Sequence, residues 1–493
     1  MNPRNTTMKR LSLAFVGAAF APSLFAQGEV QELLGDPIQG INATEQMRWT
    51  DGRTEFDHIL TAPEGLGPIF NDSSCGQCHS TPKTGGFSGK VVERAGIAGP
   101  PFDPLAALGG SLFQTQSIEP TSGINPLTGQ PWQAGDCGET IPGSATVFTQ
   151  RLTPPAFGAG LISSIDDSQI LAIQNNPPSP FVNGIARMVQ PVEGGPMRVG
   201  KFGWKGGVAT MLTFSADASV QEMGLSNRFF PTDNAPNGNA PLLAACDQAA
   251  DPEDFPDIGT GLERIDRQTD FQELLAPPPQ TPRSGMTGEA VFNAIGCADC
   301  HVGTAFTTND PNARFATLNG RTLKPYSDFL LHDMGSLGDG IVDGIATEQL
   351  MKTAPLWGLW PRAAVALLHD GSATSGTPEQ NITSAVLAHG GEAAQSVVNF
   401  GNLTPTELDQ LMAFLRSLGT SDFDIERNND RDVFDWFFMV HPLGLGNPAT
   451  LFTGPGVAVT PDDEAAIGDH DQDGAFDMRD YAAFMRSFSG PNF

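Results

Sequence analysis

The chain has 493 residues, enough for about three folded units and more than one sizeable core, which excludes a peptide hormone or a single small module. It carries 56 acidic against 27 basic residues, a formal charge of −29, and this acid excess argues against nucleic acid as a partner. With 56 glycines, 40 prolines and 39% hydrophobic residues, the composition points to short elements joined by long loops rather than to a helical bundle, a dense parallel sheet or bulk disorder.

In chain order, residues 1–26 come first. Arg4, Lys9 and Arg10 precede an apolar run over 11–26, the layout of a secretory signal, so the mature chain is expected to start near Gln27 and to be periplasmic or extracellular. A retained N-terminal anchor is the alternative. Pro22 breaks the run, which is shorter than the ~18–20 apolar residues a spanning helix needs, and no later stretch comes closer.

The six cysteines carry the main signal. Cys75-Gly76-Gln77-Cys78-His79 and Cys297-Ala298-Asp299-Cys300-His301 are both C-x-x-C-H. The spacing follows from chemistry: two thiols form thioethers to the two vinyl groups of one haem, and the adjacent imidazole reaches the iron from the proximal side. Two covalently bound haem c groups are therefore expected, in agreement with export, because c-type haems are made outside the cytoplasmic membrane. A zinc ribbon built from two C-x-x-C knuckles would need the pairs much closer in sequence. Cys137 and Cys246 remain, either as a disulfide in an oxidising compartment or as two buried free thiols, and neither has local support as a catalytic thiol.

Around these motifs the chain divides into an N-terminal haem domain over 27–279 and a C-terminal cytochrome c domain over 280–420. Pro277, Pro278, Pro279 and Pro282 read as the linker between them. The second unit opens with a predicted short helix from Thr287 to Ile295 that runs through Gly296 into the second motif. It closes with the capping box Thr404-Pro405-Thr406-Glu407 and a helix whose Leu408, Leu411, Met412 and Leu415 share one face, stopped at Gly419. No long alternating strand pattern occurs in either unit, so the fold is expected to be mainly α: two cytochrome c-type domains with long loops and a small EF-hand- or dockerin-like tail.

The tail, 421–493, contains Asp469, Asp471, Asp473, Asp477 and Asp480 at positions 1, 3, 5, 9 and 12 of a loop with Gly474 at position 6, the pattern of a calcium loop. Tyr481, Phe484, Met485 and Phe488 should form one apolar helix face after it. The segment resembles a dockerin repeat, which normally comes as two loops; only one is evident. A calcium-stabilised cap, a surface-attachment tail with a cell-surface or cohesin-like partner, and a solvated acidic turn are the readings it leaves.

The stretches at 202–227, PYSDFLLHDMG from Pro325, TAPLWGL from Thr353, LLHDG from Leu367 and AHGGEA from Ala388 resemble the di-haem oxidoreductase family, also labelled thiol-oxidoreductase-like, which is related to bacterial di-haem cytochrome c peroxidases and to MauG. The resemblance runs over roughly 50–420. It implies that one iron has an open face for hydrogen peroxide or another small oxidant, while the other is six-coordinate and relays electrons from a donor protein or small reductant. The eight histidines are His58, His79, His301, His332, His369, His389, His441 and His470, and none lies between His79 and His301. The His79 haem is accordingly read as five-coordinate, with Met188, Met197, Met211 or Met223 as residues that could close it. Glu222 resembles the glutamate that moves the proton between peroxide oxygens, and Trp204 the tryptophan between the haems, although Phe202-Gly203-Trp204 stands where the peroxidases have Phe-Trp. For the second haem the resemblance makes His301 proximal and His389 the sixth ligand, with Met334 as its rival and His332 and His369 as neighbours of the pocket. Thr353 and Pro355 match a segment that lends backbone oxygens to a calcium in the peroxidases. An electron-transfer di-haem cytochrome without peroxidase activity, and an extracellular binding protein with vestigial haem domains, are the competing functions.

Overall fold

The computed structural model describes residues 30–247, 251, 255–440 and 456–489; the signal-like segment and His441 lie outside them. Helices are short and strands shorter, as the glycine and proline content implies. No described helix is long and apolar enough to cross a membrane.

In the N-terminal part, helix α1 (Ala43–Asp57) starts at Asn42, whose side chain accepts from the Thr44 and Glu45 amides while Glu45 answers the cap amide. The one-turn helix α2 (Cys75–Cys78) carries the first haem motif. Strands β1 (Val91–Gly96), β2 (Leu112–Phe113) and β3 (Val147–Leu152) form an antiparallel sheet in the order β2-β1-β3, with Arg94 opposite both Leu112 and Thr149. Helices α3 (Met211–Met223) and α4 (Arg264–Leu274) pack on one another, and α4 packs on α1. Trp49 and Phe56 of α1 pack on Phe271 of α4, with Phe56 to Phe271 centroids 5.0 Å apart, and Phe56 also meets the His79 ring at 5.7 Å. The proximal histidine candidate thus stands on the wall of the main core.

The C-terminal part opens with α5 (Thr287–Ala294) as expected from the sequence. Strands β4 (Leu331–Asp333) and β5 (Leu350–Lys352) pair antiparallel, and α6 (Leu359–Ala363), α7 (Pro378–Ala388) and α8 (Pro405–Ser417) follow. The Thr404 capping box forms, with the Thr404 amide donating to Glu407 at 2.8 Å. Helices α5 and α8 touch closely: a Cβ at Gly288 would lie 1.9 Å from the Gln410 carbonyl oxygen, so only glycine lets them meet.

Two features concern the proline run read as a linker. The run is packed: Pro278, Pro279 and Pro282 are buried, and the Pro279 carbonyl accepts from the Gly419 amide at 2.9 Å. Proline lacks a donor but keeps its acceptor, which is enough to zip the run onto the end of α8. In addition, the largest core draws Phe157 and Leu161 from before this run and Val302, Phe306, Phe329 and Leu330 from after it, so one apolar interior spans residue 279.

The tail adds α9 (Val433–Val440) and α10 (Met478–Ser487) around a small core of Phe423, Ile425, Met439, Val459, Ile467, Phe476 and Phe484. The apolar face expected on α10 is narrower than predicted, because Phe484 and Ala483 turn inward whereas Met485 and Phe488 are exposed. Asp422, fully buried, ties this tail to the body: it accepts from the Gln31 side chain (3.0 Å), Thr281 Oγ1 (2.7 Å), Arg283 Nη2 (2.9 Å) and His470 Nδ1 (2.9 Å).

Candidate functional site

The first haem motif is held by its neighbours on both sides. Ser74 caps α2, its hydroxyl accepting from the Gln77 amide at 3.2 Å, and the His79 amide donates to the Cys75 carbonyl at 3.0 Å. Cys75 and Cys78 are free, half-buried thiols. Burial, then the charge of Asp72, pushes the Cys78 thiol up to about 12, with Glu222 adding to the rise. Burial pulls His79 down to about 4, against a partial offset from the Gly86 and Pro154 carbonyls, and its enclosed Nδ1 has no hydrogen-bond partner of good geometry. Two free thiols beside a neutral imidazole with an unpartnered nitrogen fit the donor set that covalent haem requires.

Glu222 is brought to this motif by the end of α3. The Asn71 and Asp72 amides donate to the Glu222 carbonyl at 2.8 and 3.2 Å, taking up an acceptor that the helix leaves open. Gly224 ends the helix at φ 65°, where a Cβ would come within 2.6 Å of the Ile69 carbonyl oxygen, so glycine is required for this contact. The Glu222 carboxylate accepts from Asn71 Nδ2 at 2.7 Å, and burial raises its pKa against the opposing effects of that bond and of Arg94. Arg94, which the sequence reading did not single out, donates to Ser111 Oγ at 3.0 Å, leaves Nε unpartnered, and is drawn down to about 10 by burial and then by Arg151. Of the methionines named above, Met223 shares an apolar cluster with Cys75, Met211 is buried at the start of α3, and Met188 and Met197 are exposed.

At the second motif, Cys297 and Cys300 are again free and half-buried, and burial pushes Cys297 up to about 12. His301 Nδ1 donates to the Tyr326 carbonyl at 3.0 Å, and His389, at the end of α7, donates from Nδ1 to the Ala385 carbonyl at 2.7 Å. A carbonyl can only accept, so each ring carries its proton on Nδ1 and keeps the Nε2 lone pair for a metal. The two imidazoles lie within electrostatic reach of one another: His301 is lowered to about 4 by burial first and by the charge of His389 second. Met334 belongs to the same strip, its carbonyl facing Gly390. His332 has both nitrogens engaged, with Asp328 at 2.8 Å and Glu392 at 2.9 Å, and these bonds outweigh desolvation and push it up to about 12, which leaves no lone pair for iron.

Trp204 stands between the two motifs' units. Its Nε1 donates to the Leu152 carbonyl of β3 at 2.9 Å, its own carbonyl accepts from the Lys352 amide of β5 at 2.9 Å, and its ring lies 6.2 Å from that of His369. Cys137 and Cys246 form a disulfide between a loop and the segment after α3.

In the tail loop, Asp469, Asp471 and Asp480 bring one oxygen each within 4.8 Å of one another, and Asp469 Oδ1 is buried without a partner. Asp473 and Asp477 lean on Arg479, which reaches Asp477 at 2.9 Å and also pairs with Asp471 at 3.3 Å. The expectation of a single loop is corrected by the structure, because residues 424–435 repeat 469–480 position for position. Position 12 accepts from the amides of positions 2 and 9 in both: Asp435 from Ile425 and Asp432 at 2.8 Å each, Asp480 from His470 and Asp477 at 2.9 and 2.8 Å. Position 1 accepts from position 6 at 3.0 Å in both, and positions 4 and 6 are left-handed in both, at Arg427 and Asn429, and at Gln472 and Gly474. The first copy has asparagine, Asn429, at position 6 and so lacks the glycine that marks the second.

A family model described as "Di-haem oxidoreductase, putative peroxidase" matches residues 144–418. Among solved structures, a MauG-like protein associated with microbial copper homeostasis is 15% identical, with 79% of this chain and 93% of that one covered and a TM-score of 0.31. Kuenenia stuttgartiensis hydrazine synthase is 13% identical, with 84% and 100% covered and a TM-score of 0.32. No curated protein matches the chain.

Proposed function

The chain belongs to the di-haem oxidoreductase family, and from that premise we propose an exported peroxidase-like oxidoreductase that takes two electrons from a donor and reduces hydrogen peroxide to water. The observation that carries this reading is the asymmetry of the two C-x-x-C-H sites: His301 feels the charge of a second carbonyl-anchored imidazole, His389, whereas Cys78 of the first motif feels that of a buried carboxyl group, Glu222. Bound haem would supply the iron that exchanges electrons with peroxide. The protein's own part at the first site is to hold Cys75, Cys78 and His79 on α2 and to move a proton. Glu222 Oε accepts the proton of one peroxide oxygen and returns it to the other, a task suited to a carboxyl group whose pKa burial has raised above its ordinary value. Asn71 orients that carboxyl group, and Trp204, bonded to β3 on one side and β5 on the other, links the two sites.

In the tail, Asp469, Asp471 and Asp480 would hold calcium, and the Asp422 hub supports a cap fastened to the body rather than a freely presented docking module. One observation favours the second reading, an electron-transfer cytochrome: Met223 packs beside Cys75 and is a thioether able to close the first iron. A low-temperature EPR spectrum of the isolated protein tests both. One high-spin and one low-spin haem are expected, and two low-spin haems would sink the peroxidase reading.

A further inference from the structure

Arg362, on α6, is nine-tenths buried, and its Nε and Nη2 are closed off from solvent without a hydrogen-bond partner. These two nitrogens lie along one edge of the guanidinium, the pair of parallel donors that a carboxylate accepts side-on. Among the described residues no carboxylate takes that place, and the group is in no ion pair. Its Cζ stands 5.4 Å from the Trp204 ring centroid. Lys352, on β5, is a second buried cation within electrostatic reach of Arg362; its Nζ makes one hydrogen bond, to the Thr353 carbonyl at 3.1 Å. The acid nearest in effect, Asp328, is already bonded to His332. Two like charges buried together without a counter-anion are strongly unfavourable, so the arrangement calls for an anionic ligand.

The position of the cations indicates which one. Leu359 and Ala363 of α6 share a core cluster with Cys297 and Ala298, while Lys352 sits opposite Leu331, one residue from His332, and the Asp328 amide donates to the Cys300 carbonyl at 3.0 Å. Both cations therefore border the second haem motif, and haem carries two propionate carboxylates. We propose that Arg362 and Lys352 anchor the propionates of the haem attached to Cys297 and Cys300, with Arg362 gripping one carboxylate side-on while its face rests on Trp204. The inference depends on the reading that this motif binds haem, and it makes Arg362 a positioning residue that fixes the haem edge next to the tryptophan linking the two sites.

The test is a spectroelectrochemical titration of each haem in the full chain, for the wild type, Arg362→Gln, Arg362→Lys and Lys352→Gln. Removing a cation beside a propionate favours the ferric form, so Arg362→Gln should lower the reduction equilibrium constant of the low-spin haem by roughly tenfold, the effect of one nearby charge at an effective dielectric of about 20. Lys352→Gln should act in the same direction, Arg362→Lys should recover most of the loss, and the other haem should shift far less. Unchanged potentials in both glutamine variants, a shift confined to the Cys75–Cys78 haem, or a wild-type potential that follows chloride concentration at constant ionic strength would overturn the proposal. Failure of the underlying reading shows separately, as a wild-type mass lacking the haem on Cys297 and Cys300.

Discussion

Replacing Glu222 with glutamine isolates proton transfer from everything else this residue does. The backbone contacts that hold α3 to residues 71–72 are untouched, and the glutamine carbonyl can still accept from Asn71 Nδ2, whose bond to the carboxylate is 2.7 Å. What disappears is the group that gains and loses a proton. General acid–base help of this kind is worth on the order of 10² to 10⁴ in rate, so the barrier should rise by about 3 to 5 kcal/mol. The effect on stability should have the opposite sign. Burial raises the Glu222 pKa above its ordinary 4.5, so the folded state loses stability as pH climbs from that value through the raised one, and the neutral glutamine escapes this loss. Stopped-flow mixing with peroxide, followed in the haem absorption band, reads the rate, and thermal unfolding at neutral pH reads the stability. A variant at least as stable as the wild type that reacts 10² to 10⁴ times more slowly is the expected outcome. Equal rates would remove Glu222 from the chemistry, and no reaction in the wild type would favour the electron-transfer cytochrome.

Three further outcomes are expected. His389→Ala should turn the low-spin haem high-spin in the EPR spectrum and leave the other unchanged; if nothing changes, the same substitution at Met334 identifies the ligand. Calcium should raise the unfolding temperature of the wild type, and Asp469→Asn, which removes a buried and unpartnered oxygen, should abolish that gain as followed by calorimetry. Asp422→Ala leaves Arg283 and His470 without their shared acceptor, so denaturant unfolding should show a loss of about 3 to 5 kcal/mol.

The parts of this molecule legible in the sequence are those whose physics is local. Two cysteines and a histidine within five residues, a threonine cap with glutamate three residues on, and aspartates alternating around a glycine each specify their structure without reference to the rest of the chain. The role of the proline run was not legible, because its burial depends on Gly419 offering an amide from 140 residues away. Arg94 and Arg362 were missed for a related reason: a buried, under-partnered cation is defined by what fails to surround it, and no pattern of neighbours in sequence announces that. The first tail loop was missed because Asn429 takes the left-handed turn that glycine usually provides, a conformation asparagine tolerates through local hydrogen bonding.

These missed residues share one physical consequence. Short elements and long loops supply few apolar contacts each, so the chain fixes its geometry with buried polar groups that reach across large sequence distances. Asp422 joins residue 31, the proline segment and the tail loop; Trp204 joins β3 to β5; Asn71 joins the approach to the first haem motif to the end of α3. Each such group is stable only when all its partners are present, because a buried charge or amide stripped of one partner bears the full desolvation penalty. Loosening the tail therefore weakens the Asp422 hub, and with it the hold on Thr281 and Arg283 a few residues before α5, the helix that leads into the second haem motif. The tail is then part of what holds the approach to the second C-x-x-C-H motif in register, so its packing against the body has a structural purpose of its own.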